Sequence, residues 1–397
     1  LDEMSMVDTW LANTLFKAIG NDMQVIIVGD KDQLPSVGPG QVLHDLLQTT
    51  EIPQRELTEI YRQGDGSSII SLAHEIKDGQ VPANLTVNQK DRSFFRCDAY
   101  QIEPIIAQIV EKAKAKGFTA QDIQVLAPMY RGPAGINALN KMMQEIFNPN
   151  DGNKREVVFN EVAYRVGDKV LQLVNDPEAN VFNGDMGVIV GITYAKESED
   201  KTDELTIAFD ATEVVYKRNE WNKITLSYCC SIHKSQGSEF KMVILPMVSQ
   251  YQRMLQRNLL YTAVTRSKDL LILLGEPRAY EQAIYRESAV RKTTLQQRIQ
   301  EVGGISTALT MKIHQYEDEM AAETHGLVTS LPLAKSDLPQ ETKSSADKLA
   351  EVPQEQKPAV QYDQVTTEPK GPQEIIEEEQ DDELSQRKLV LAKAAAE

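Results

Sequence analysis

The chain has 397 residues, a formal net charge of −17 at pH 7 and 41% hydrophobic residues. That length accommodates two or three domains. No run approaches the ~18 apolar residues a membrane-spanning helix needs, and no secretory leader pattern is visible at the start. The three cysteines, Cys97, Cys229 and Cys230, form no C-x-x-C pair. This usage suits a reduced, cytoplasmic protein without a structural zinc site. The acidity is uneven: residues 317–397 hold 19 acidic and 8 basic residues. The remainder is therefore close to balance, and whole-chain charge does not exclude a nucleic-acid groove.

The chain opens with LDEMSMVDTW. An Asp-Glu pair at a strand tip can serve a metal ion and an attacking water. Taken alone, Asp2 and Glu3 fit equally well as solvated acids or as acids near a helix N-terminus. Residues 25–28, VIIV, read as a buried strand feeding the Gly/Pro loop GDKDQLPSVGPG. Gln33 on that loop has an amide able to bond a phosphate or a water. LTEIYRQ (57–63) brings Arg62, and the spacing predicts a helix over 67–80. DIQVLAPM (122–129) predicts a buried strand ending in a loop. Residues 134–149 predict an amphipathic helix stopped by Pro149.

Over 151–222 the texture changes to alternating, β-rich segments split by turns such as Asn183-Gly184-Asp185. This predicts an inserted small barrel or sandwich of about five strands. The α/β texture resumes with ITLSYCC and the polar string SIHKSQGSEF (231–240). A helix near 252–266 ends in YTAVTRSK (261–268), which carries Arg266. A strand at 270–275 and a last helix over roughly 278–301 follow. An Arg set behind a packed helix can neutralise phosphate charge, although either Arg alone also fits a surface ion pair. From 302 the chain is rich in Pro, Gln, Glu, Ser and Lys and poor in aromatics, which predicts disorder. The terminal LSQRKLVLAKAAAE is compatible with a helix, in isolation or on a partner.

These stretches, in this order, resemble the motifs of superfamily 1 helicases, and most of all the bacterial RecD-like DNA helicases that move 5′ to 3′. The resemblance covers about residues 1–300. Asp2-Glu3 resembles the Walker B motif, GDKDQLPSVGPG motif III, LTEIYRQ motif IV, SIHKSQGSEF motif V and YTAVTRSK motif VI. VLAPMYRGPAGINALN resembles a stretch typical of the RecD-like group, and the β-rich insert lies where these enzymes carry an SH3-like domain. The implied fold is α/β: two RecA-like motor domains (1–90 for the first, 91–150 and 223–301 for the second), an SH3-like insert at 151–222 and an acidic tail over 302–397.

The resemblance also implies roles. Asp2 would hold Mg²⁺, Glu3 would activate water, Gln33 would sense the γ-phosphate of ATP, and Arg62 and Arg266 would stabilise its charge. Gly237 and Glu239 would lie at the nucleotide. Pro128, Met129, His233 and Ser235 would face single-stranded DNA, next to duplex junctions, in repair or recombination. The acidic tail leaves room for a protein partner.

One departure stands out. A phosphate-cradling G-x-x-x-x-G-K-[S/T] loop is opened by none of the 21 glycines. The chain is therefore expected to begin inside the first motor domain and to be inactive alone. The helicase half of a conjugative relaxase and a non-catalytic DNA-binding scaffold are the alternatives. The second has no need for Asp2, Glu3, Gln33, Arg62 and Arg266 together.

Overall fold

The computed structural model describes residues 1–302 except 21, 50–51, 58–65 and 211. The expected tail and Arg62 with its motif lie outside the described residues. In chain order the helices and strands are α1 (Thr9–Ala18), α2 (Val42–Leu47), α3 (Ser68–Lys77), β1 (Arg92–Arg96), α4 (Ile102–Ala115), β2 (Ile123–Ala127) and α5 (Ile136–Phe147). There follow β3 (Glu156–Phe159), β4 (Val162–Arg165), β5 (Lys169–Gln172), β6 (Met186–Thr193), β7 (Glu204–Ala208) and β8 (Glu213–Lys217). The last are β9 (Ile224–Leu226), β10 (Cys229–Ser231), β11 (Phe240–Met247), α6 (Arg257–Thr265), β12 (Ser267–Gly275), α7 (Pro277–Tyr285) and α8 (Leu295–Val302).

Two sheets organise the molecule. The first is parallel throughout, in the order β1-β12-β11-β2-β10. Every residue of β2 is buried, and so is every residue of β11 except Lys241. Such burial on both faces is what a parallel sheet covered by crossover helices requires. The second sheet is antiparallel, β8-β7-β6-β5-β9, with β3 and β4 as a separate hairpin. In β7, where buried and half-buried residues alternate, one face meets the core. The chain returns from the insert in very few residues: β9 belongs to the antiparallel sheet and β10 to the parallel one.

The insert is rooted by buried polar groups. The Asp168 carboxylate accepts from Gln144 Nε2 and Asn148 Nδ2, both at 2.6 Å, and from the Tyr228 hydroxyl at 3.0 Å. Lys169, 1% exposed, donates to Gln124 Oε1 at 2.9 Å and to the Ala120 carbonyl at 3.1 Å. One continuous hydrophobic core joins the parallel sheet to the insert.

Two sequence expectations are corrected. Residues 25–28 are extended but form no regular strand. Among the described residues their backbone bonds run to the first residues of the chain, Leu1 N–H to Ile26 O and Val28 N–H to Leu1 O at 2.8 and 2.7 Å. The helix expected over 278–301 is two helices, α7 and α8. Between them the backbone leaves α7 at Arg286, whose φ and ψ are extended.

Candidate active site

Pairing of residues 1–4 with 26–28 sets Asp2 and Glu3 beside Gly29, because Met4 N–H donates to Val28 O at 3.1 Å. A Cβ on Gly29 would sit 2.8 Å from Leu43 Cδ2 and 3.1 Å from Met4 N, so only glycine allows this approach. Glu3 is left-handed, with φ 55° and ψ 36°, a conformation costing a non-glycine residue ~1–2 kcal/mol. Its N–H donates to Asp2 Oδ1 at 2.8 Å.

The loop after Gly29 is built on Asp30. Its carboxylate accepts from Asp32 N–H at 2.9 Å and from Gln33 Nε2 at 3.3 Å, closing an Asx turn. The Tyr261 hydroxyl also reaches Asp30, and its pKa is raised by burial and by that charge. Burial raises the Asp32 pKa, which Lys77 Nζ at 3.5 Å opposes. Gln33 Oε1 is buried and has no hydrogen-bond partner among the described residues. Leaving a buried carbonyl unpaired costs roughly 1–3 kcal/mol; such an atom suits an acceptor held ready for a donor from a ligand.

The next residue joins this loop to α6 and to the 231–240 segment. Leu34 N–H donates to Thr262 Oγ1 at 2.8 Å, and Gln236 Nε2 donates to Leu34 O at 2.9 Å. The Thr262 carbonyl in turn accepts from Arg266 Nε at 3.2 Å. Arg266 is 3% exposed and also donates to Ser238 O at 3.2 Å and Thr265 Oγ1 at 3.3 Å. The Gln33 loop and Arg266 thus share Thr262. Neither Thr262 nor Gln236 stood out in the sequence, because a hydroxyl or amide that holds a loop has no signature of its own.

The remaining expected residues fall into two groups. Gly237 is exposed at φ 75°, with open space where a Cβ would be, and Glu239 pairs with Lys268 at 3.0 Å. Met129 is 40% exposed. His233 is half-buried, and burial lowers its pKa, so it is neutral at pH 7. Two residues depart from the expectation that they face a ligand. Ser235 is fully buried and its hydroxyl donates to Ile232 O at 2.8 Å, closing the 3-10 turn. Pro128 is buried at the end of β2. Lys234 is bonded instead to Asn183 of the insert. Among the described residues, no group of three or more His, Cys, Asp or Glu could hold a metal ion.

Three family profiles match in chain order: an AAA domain over residues 1–98, the SH3 domain of ATP-dependent RecD-like DNA helicases over 139–209, and a UvrD-like helicase C-terminal domain over 226–274. The chain is similar to RecD-like helicases. It is 34% identical over 305 residues to the ATP-dependent RecD2 DNA helicase of Deinococcus radiodurans, covering 75% of this chain and 39% of that protein. It is 28% identical over 317 residues to the RecBCD enzyme subunit RecD of Mycolicibacterium smegmatis, covering 76% of this chain and 54% of that protein. The chain thus spans about half the length, or less, of these relatives. Among solved structures, the Pif1 helicase from Bacteroides in complex with ADP-AlF3 and ssDNA aligns at TM-score 0.40 and 18% identity. That alignment covers 77% of this chain and 75% of the other.

Proposed function

We propose that this chain supplies the sensing and arginine side of the motor in an ATP-dependent 5′–3′ DNA helicase of the RecD-like kind, acting on single-stranded DNA and duplex junctions in the cytoplasm, in repair or recombination. The observation that carries the reading is the link through Thr262, which ties the Gln33 loop to Arg266. A cleft that joins a γ-phosphate sensor to a charge-neutralising guanidinium has a route from nucleotide state to domain movement. Gln33 Oε1, unpaired and buried, fits an acceptor for an attacking water. Arg266 fits the cation that meets developing phosphate charge.

The residues fit one side of a nucleotide. Mg²⁺ takes most of its ligands from water and phosphate and needs one or two carboxylates; Asp2 would supply one and leave Glu3 to activate the attacking water, and the bound ion would neutralise phosphate charge. Phosphate cradling is the part this sequence does not contain, so residues 1–397 alone are expected not to hydrolyse ATP. Arg62 would add a second cation. Across the cleft, exposed Met129 and neutral His233 offer surfaces on which bases can stack without sequence preference. Protein partners of residues 303–397 would add to these contacts.

The test is ATP hydrolysis by a protein that joins these residues to a phosphate-cradling loop. DNA-stimulated turnover is expected in the wild type and should fall about 10³-fold in Arg266→Ala, as for a phosphate-facing arginine. An Arg266→Ala protein that turns over at the wild-type rate removes the reading.

A further inference from the structure

The segment between α7 and α8 crosses to the opposite motor unit and grips the sensor loop. Arg286 O accepts from Arg257 N–H at 2.9 Å, and Glu287 pairs with Arg257 Nη1 at 3.1 Å, so the segment departs from a fixed point. Five residues later the Arg291 guanidinium meets the backbone of residues 36–40. Its Nη2 donates to Ser36 O at 2.7 Å, and its Nη1 to Gly38 O at 2.5 Å and Gly40 O at 2.7 Å. Arg291 N–H donates to Gln41 Oε1 at 3.1 Å. Beyond it, the Thr293 hydroxyl donates to Asp45, Gln296 Nε2 donates to Gln48 O at 3.0 Å, and Leu295 packs against the small core of Met4, Ala12, Val42 and Leu43.

On its far side the same loop is pressed against the start of α1. Thr9 N–H donates to Pro39 O at 2.9 Å, and a Cβ on Gly40 would fall 2.0 Å from Thr9 Oγ1. Residues 36–40 are therefore held between α1 and Arg291, and Leu34 between Thr262 and Gln236. Gln33 lies just ahead of both clamps. Three carbonyls turned toward one point, those of Ser36, Gly38 and Gly40, repel each other; a planar cation with forked donors removes that repulsion, which a neutral or point-charge side chain does less well.

We propose that Arg291 is a positioning residue for Gln33: the strap from α7 fixes the 36–40 loop so that Leu34 stays on Thr262 and the Gln33 amide stays on the Asp30 carboxylate with its Oε1 free. The kinetic consequence rests on the nucleotide reading of Gln33; the structural consequence does not. An arginine so placed lets the second motor unit set the geometry of a sensor carried by the first.

The test has two arms, both in the protein that carries this chain. In the first, amide hydrogen exchange is compared between wild type, Arg291→Ala and Arg291→Lys. The Leu34 amide should exchange about tenfold faster or more in both variants, because its bond to Thr262 then opens locally, while β2 and β11 stay protected. Unchanged exchange at Leu34 overturns the proposal, as does wild-type protection in Arg291→Lys, which keeps the charge without the fork.

The second arm is a cycle of Gln33→Ala, Arg291→Ala and the double variant. Arg291→Ala should lower kcat for ATP roughly tenfold through misplacement of the amide, with KM changed by less than about twofold. The double variant should be no slower than Gln33→Ala, since a residue acting through another has nothing left to lose. Independent, multiplying losses overturn the proposal. If the wild type hydrolyses no ATP, the helicase reading fails and the exchange arm alone decides the positioning role.

Discussion

Residues 25–28 and 123–127 are the same kind of sequence, a run of β-branched and aliphatic residues that delivers a Gly/Pro loop, and they end differently. β2 lies between β10 and β11 and is buried along its whole length. VIIV pairs along one edge, with residues 1–4, and leaves Ile26 69% and Val28 49% exposed. An apolar run states how much surface must be covered; neighbouring strands and the helices packed on their faces cover it. The same contrast holds for the cores. Around the parallel sheet and the insert the core is one continuous cluster that also takes in α3, whereas the N-terminal unit, residues 1–47 around α1 and α2, has a separate cluster of Met4, Ala12, Val42 and Leu43.

Equal truncations would break this comparison if it is wrong. Leu273 and Leu43 are 0% and 6% exposed. Leu273→Ala opens a cavity in a packed sheet and is expected to cost about 2–5 kcal/mol. Leu43→Ala touches a cluster with few walls, which can collapse, and is expected to cost less than about 2 kcal/mol. Denaturant unfolding of both variants measures the difference; equal losses would mean that the N-terminal unit packs as tightly as the sheet.

Much of the parallel sheet and its helices was legible. The expected strands and helices over 122–149 and 252–275 match β2, α5, α6 and β12 within about five residues. Ser67 and Asp78 bracket α3 as a cap and a stop should. The insert was legible as turn-split alternation, though β9 runs past the expected end at 222. What stayed hidden depends on the partner. The break at 286–294 follows from Arg291 reaching a loop some 250 positions away, and no local propensity encodes that. Ser235 read as a polar residue in a polar string, yet its hydroxyl is spent on its own turn. Gln33 was legible by its loop, but the unpaired Oε1 that makes it interesting is a property of burial alone.

The root of the insert sharpens the comparison, because it is attached to the completed unit. Burial lowers the Lys169 pKa to about 8 from an ordinary 10.5. Between those values the unfolded chain keeps a proton that the folded chain releases, so stability should rise with pH across that window, by up to roughly 3 kcal/mol. Below about pH 8 both states are protonated and the contribution is flat. Lys169→Met should abolish the rise, read as the denaturant midpoint at about pH 7 and pH 10. A variant that keeps the wild-type slope would assign the rise to another group and leave the root uncharged in its effect.

The smallest effect probes the open side of the N-terminal unit. The chain has two tryptophans, Trp10 at 71% exposure on α1 and Trp221 fully buried in the insert. Iodide should quench the first and spare the second. Trp10→Phe should therefore remove nearly all quenchable emission, while stability changes by no more than about 0.5 kcal/mol, as at other surface positions. The outcome that sinks the comparison is a Trp10→Phe chain whose remaining emission is still quenched, since that would put the looseness in the insert.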